Sequence, residues 1–174
     1  MSTPRFYCLP PLPSGATFEL PPAAAHHASR VLRLRIGDAV HVFDGEGKEI
    51  QGVILEISGK RVLLSKLETC TAVRESPLHI VLAQAMCSSE KMDWVVQKST
   101  ELGAAEIQPI QTKRSVTKLS GERAEKRTEH WHGVAIAACE QCGRNVLPTV
   151  HAPLEFGAWL AQVRDAPMSH NPPG

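Results

Sequence analysis

The chain has 174 residues, enough for one medium domain or for a small domain with part of a second. Its 43% hydrophobic and 21% charged residues fit a globular protein, and no apolar run approaches the roughly 18 residues of a membrane span. A net charge of +1 argues against gripping nucleic acid by bulk charge, and five thinly spread cysteines argue against a disulfide scaffold, so reduced thiols in a cytoplasm are expected. Met1 to Phe6 lacks the basic and apolar regions of a secretory leader.

In chain order, Pro22 to Arg33 is predicted helical, with Ala25, Ser29 and Leu32 near one face and Gly37-Asp38 ending the segment. Val40-His41-Val42-Phe43 reads as a strand, followed by the turn Asp44-Gly45-Glu46-Gly47. Glu49 to Ile57 alternates, with Ile50, Gly52, Ile54 and Glu56 on one face. Ser58-Gly59-Lys60 turns the chain, and Arg61 to Leu67 returns. Short strands joined by glycine turns predict a small barrel.

After Pro77 strands alternate with helices. Leu78 to Met86 is an apolar strand, and Ser88 or Ser89 caps the helix that follows, whose positions Met92, Val95, Val96, Ser99 and Leu102 recur at helical spacing up to Gly103. Ala105 to Thr112 is a second strand. Ser120 is expected to cap a long helix with Trp131, Val134, Ala135, Ala138 and Cys142 as its buried stripe. Leu147 to Val150 is a third strand and Leu154 to Val163 a last short helix. This order predicts parallel strands with right-handed crossovers.

Cys139 and Cys142 form a Cys-x-x-Cys pair, but no second pair completes a zinc set. A redox pair belongs at a helix start, where the dipole lowers a thiol pKa; this one sits at a helix end and reads as packing. Gly143 suits the left-handed helix stop, which would turn Arg144 and Asn145 outward. Arginine suits a phosphate, and asparagine a base edge. Lys91, Lys98 and Glu101 share an amphipathic helix and could face a ligand, although Lys98 and Glu101 also suit a plain surface pair. Arg30, Arg33 and Arg35 make one basic patch, and Lys113, Arg114 and Lys118 another. The residues alone describe a β domain joined to part of an α/β domain.

Several segments occur in a telling order: Pro4-Arg5-Phe6-Tyr7, His27-x-x-Arg30-Val31-Leu32-Arg33 with Gly37-Asp38, Arg74 to Ile80, Glu90-Lys91-Met92, Gln97-Lys98-Ser99-x-Glu101-Leu102-Gly103, and Ala135 to Asn145 with Pro148. Over about residues 3–163 the chain resembles the ribosomal RNA small subunit methyltransferase E family. The resemblance implies an α+β two-domain protein. Residues 1–73 would form a PUA-like RNA-binding β-barrel, and residues 77–174 the N-terminal part of a SPOUT α/β methyltransferase domain. It further implies S-adenosylmethionine as cofactor, a homodimer, and methylation of N3 of a uridine in 16S rRNA of the small ribosomal subunit. N3 must lose its proton, so a base or an oxygen stabiliser is needed. By residue type Glu101, Arg144 and Asn145 are the catalytic candidates, and Arg5, Arg30, Arg33, Lys91, Lys98 and Arg114 the RNA-binding ones. The family's Gly-Pro-Glu-Gly-Gly loop and Leu-Gly-x-Arg-x-Leu-Arg-x-Glu-Thr-Ala segment, which supply the trefoil knot and most of the cofactor pocket, do not occur here. The chain is therefore expected to be a shortened product that does not by itself hold S-adenosylmethionine with normal affinity. An RNA-binding module without catalysis is the alternative, and a zinc or redox protein built on the cysteine pair a third reading.

Overall fold

The computed structural model describes residues 3–71, 74–113 and 118–165. The first half is a five-stranded sheet. It contains β1 (Arg5–Tyr7), β2 (Thr17–Glu19), β3 (Ala39–Phe43), β4 (Lys48–Ser58) and β5 (Arg61–Thr71), in the order β1-β3-β4-β5-β2. β4 and β5 form an antiparallel hairpin with register shifts at Gln51/Gly52 and Ile54/Glu56, and such bulges bend a sheet. Phe6 of edge strand β1 and Phe18 of edge strand β2 share one core with Val40, Ile54, Val62 and Leu64. The expected barrel is thus a sheet curled around one apolar centre. Helix α1 (Pro22–His26) and a π-helical turn, His27–Val31, add Ala24, Ala25 and Ala28 to that core. The single helix expected from Pro22 to Arg33 therefore changes its winding midway, and Arg33 ends it at φ 53°.

The second half is a parallel layer of β6 (Val81–Ala85), β7 (Glu106–Gln111) and β8 (Thr149–Val150). β9 (Leu154–Glu155) continues the line of β8 along β7, so the segment expected to be helical from Leu154 starts as strand and turns into α4 (Phe156–Asp165). Helices α2 (Ser89–Glu101) and α3 (Glu122–Cys142) pack against the sheet through Met92, Val96, Ile107, Trp131, Ala135 and Val150. Three sequence expectations shift. Leu102 is 83% exposed instead of buried, because α2 ends before its side chain reaches the layer. Cys139, not Cys142, completes the buried stripe of α3. Gly121, at φ 52°, takes the N-cap position expected of Ser120. Among the described residues no helix is long and apolar enough to cross a membrane.

Candidate functional site

The two halves meet at a buried cluster of charged and polar side chains. In β4, Ile50, Gly52 and Ile54 face the first core, so Glu49 points to the opposite face. There it is 1% exposed, ion-paired with Arg5 of β1 and with Arg74 at 3.2 Å, and 2.8 Å from Nδ1 of His41 in β3. Burial works to raise the Glu49 pKa. The hydrogen bond and charge of Arg5, with His41 and Arg74, outweigh it and hold the carboxyl below the ordinary carboxylate range. Arg5 also donates to the Asn145 side-chain oxygen and, at 3.2 Å, to the Arg144 carbonyl. Arg74 donates to the Gly143 carbonyl at 2.8 Å.

Gly143 takes the left-handed conformation at φ 90°, as its position after the long helix predicts. The residues after it do not turn outward: Arg144 is 7% exposed and Asn145 1% exposed. Arg144 reaches back into its own domain. Its guanidinium donates to the carbonyls of Thr100 at 2.7 Å and Ala104 at 3.0 Å and forks onto both oxygens of Glu75 at 3.2 and 2.6 Å. One arginine thereby closes the carbonyl end of α2, where a cation suits the dipole, and ties it to the segment joining the halves. Buried charge needs such full pairing, which explains the inward turn.

Glu101 stays at the surface of the last turn of α2. Lys98 at 2.7 Å and Gln97 at 3.0 Å clasp its carboxylate. The Lys98 hydrogen bond holds its pKa below the ordinary range, so it is a weak base near neutral pH. Of the candidate RNA contacts, Arg5 is placed inward: its side chain is 9% exposed and bonded to Glu49 and Asn145. Lys98 is committed to Glu101. Arg30, Arg33, Arg35 and Lys91 are exposed, and among the described residues their side chains make no ion pair. Arg114 lies outside the described residues. Cys139 is buried, and burial first, then the neighbouring Cys142, pushes its thiol up to about 12, the reverse of a reactive redox cysteine.

Sequence reasoning missed Glu49 and His41, because alternation assigns Glu49 to an outer face without saying that this face is covered. Glu140 belongs to the Ala135 to Asn145 segment singled out in the sequence, but its partner was not legible there: its Oε1 accepts the Tyr7 backbone N–H at 3.0 Å and so pins α3 to β1.

A model of the RNA methyltransferase domain matches residues 74–170, and a model of the RNA methyltransferase PUA domain matches residues 20–67. A crystal structure of a ribosomal RNA small subunit methyltransferase E from Neisseria gonorrhoeae, bound to S-adenosyl methionine, superposes with a TM-score of 0.86 at 37% identity, covering 96% of this chain and 67% of that one. The ribosomal RNA small subunit methyltransferase E of Bacillus subtilis (strain 168) is 32% identical over 149 residues, and that of Buchnera aphidicola (subsp. Acyrthosiphon pisum, strain APS) 30% identical over 156 residues. Those alignments take in 86% and 90% of this chain but 58% and 62% of the relatives. The fold is accordingly that of a PUA-like domain followed by a SPOUT-type methyltransferase layer. The chain belongs to the RNA methyltransferase family, and within it to the ribosomal RNA small subunit methyltransferase E group.

Proposed function

We propose that this chain serves S-adenosylmethionine-dependent methylation of N3 of a uridine in 16S rRNA, acting on the small ribosomal subunit in the cytoplasm as a homodimer. The observation that carries the reading is the match, across both halves, to a relative whose structure holds S-adenosyl methionine. The local chemistry agrees with it. Arg30, Arg33 and Arg35 stand exposed and unpaired among the described residues, as phosphate-contacting arginines must.

The cofactor would supply an electrophilic methyl group on a sulfonium. In open parallel α/β layers ligands bind at the carboxyl ends of the strands. There the described residues Met86, Ser89, Met92, Leu119 and Trp131 line a cavity of about 40 Å³. That is far below the roughly 300–1,000 Å³ of small-ligand sites, so these residues do not by themselves fit the cofactor. What the chain's own residues offer is orientation. Arg144 and Asn145 act as positioning residues, since their polar atoms hold α2 and the two halves in register. Glu101 is kept ionised by Lys98 and suits an electrostatic role better than proton abstraction.

The test pairs two measurements on the chain. A methylation assay on small subunits lacking the modification separates the enzyme from an RNA-binding module without catalysis. RNA affinity measured across salt concentrations, with Arg30→Ala and Arg33→Ala combined, should show weaker binding and a log–log salt slope shallower by about 2. An unchanged slope removes these arginines from the RNA contact.

A further inference from the structure

A cleft of about 550 Å³ runs between the first sheet's N-terminal segment and helix α3. The volume lies inside the roughly 300–1,000 Å³ range of small-ligand sites. One wall is flat and apolar, with Leu9, Pro11, Pro13 and Pro21. The other is a second face of α3, distinct from its core stripe: Gly133, Ile136, Ala137 and Glu140 recur at i, i+3, i+4 and i+7. Gly133 and Ala137 keep that wall low. The carboxylates and imidazoles in the cleft are few: His27, Glu140 and Glu19, whose carboxylate is already paired with Arg61. His27 stands edge-on to Phe6 at 6.1 Å and 81°, which fixes its ring. Glu140 spends Oε1 on the Tyr7 amide, and among the described residues Oε2 has no hydrogen-bond donor.

These walls select a ligand. A carboxylate is an acceptor only, so it rewards an N–H and repels a phosphate. Flat apolar walls and a fixed imidazole suit a planar ring. Arg30 and Arg33 follow the lining residue His27 by three and six residues and are exposed and unpaired among the described residues, a cationic segment next in the chain to the cleft. Single-stranded RNA is read in this manner, by splayed bases stacked on flat side chains and bonded along their edges.

We infer that this cleft is a nucleobase subsite for an unstacked base bearing a ring N–H, uracil or guanine. The ring N–H donates to Glu140, and the attached phosphate stays outside on the Arg30 and Arg33 side. The inference rests on the RNA reading above and adds a base contact remote from the cavity at the carboxyl ends of the strands.

Amide resonances of the full 174-residue chain, followed during titration with the 5′-monophosphates of uridine, guanosine, cytidine and adenosine, test it. The uridine and guanosine nucleotides should move the Tyr7 amide and bind about tenfold tighter than the other two. Glu140→Gln, which offers a donor as well as an acceptor, should abolish that preference. Ala137→Phe fills the cleft from an exposed helical position, so it should remove binding of all four, and it keeps the test open should the Glu140 variant fail to fold. Equal binding of the four nucleotides, shifts confined to other residues, or no shifts at all overturn the subsite. RNA titration of the same samples separates the two readings. Salt-dependent RNA binding with an unmoved Tyr7 amide sinks the subsite and leaves the RNA reading standing. Nucleotide binding in the cleft without RNA binding does the opposite.

Discussion

Arg144 illustrates how one side chain can carry two elements. Its five N–H groups form a rigid fork, and here they meet two carbonyls of the α2 terminus and both oxygens of Glu75. A lysine has the charge but not the fork. Arg144→Lys should leave buried acceptors unmatched and cost about 3 kcal/mol, read as a lowered denaturant midpoint with an unchanged slope. A loss within about 0.5 kcal/mol would show that the fork is dispensable. The identity of this residue is plain in the sequence, yet its direction is not. The motif Gly143-Arg144-Asn145 announces a helix stop, while its partners Glu75 and Arg5 lie 69 and 140 residues away. Local pattern reports the stop correctly and says nothing about what the next side chain will meet.

At the scale of elements, α3 divides its circumference between two duties. Trp131, Ala135, Ala138 and Cys139 face the sheet, and Gly133, Ile136, Ala137 and Glu140 face the cleft. Gly133 sits mid-helix, and a Cβ placed there meets nothing within 4 Å. Gly133→Ala should therefore raise stability by about 0.5–1 kcal/mol, seen as a higher thermal midpoint, because only the backbone entropy of glycine is lost. The long, strongly patterned elements were legible: β4 and β5 from alternation, α2 and α3 from helical recurrence. β1 and β2 were not, since three residues each are too few to display a period. The pairing of β1 with β3 is parallel and draws on residues about 36 apart, such as Arg5 and His41, so no local signal marks it. The π-helical winding after His26 was hidden for a related reason: its spacing resembles an α-helix over one turn.

For the whole molecule, the joint between sheet and methyltransferase layer is what makes the halves one body. Besides the charge cluster, backbone bonds cross it, Leu147 N–H to the Gly45 carbonyl at 2.9 Å and Gly47 N–H to the Asn145 carbonyl at 3.2 Å. Glu49 links this joint to pH. Its folded-state pKa lies below the unfolded value, so its contribution is present above about pH 4.5 and is lost as pH falls through the lowered folded value. Denaturation midpoints measured down through that range should fall, and Glu49→Gln should lower the midpoint at neutral pH while flattening the acid limb. An acid limb identical in the variant would assign the loss to other carboxylates. The pairing of Arg5 with Asn145 has a further consequence in time. The two residues are 140 positions apart, and at about 5–20 residues per second a ribosome needs roughly 7–28 s to make the second after the first. For the later part of that interval, once the strands through Thr71 have been made, the newborn sheet carries Arg5 and Glu49 on an open face, paired with each other but without the residues that later bury them. Synthesis itself thus sets an order in which the first sheet is complete before the seam that joins it to the second layer.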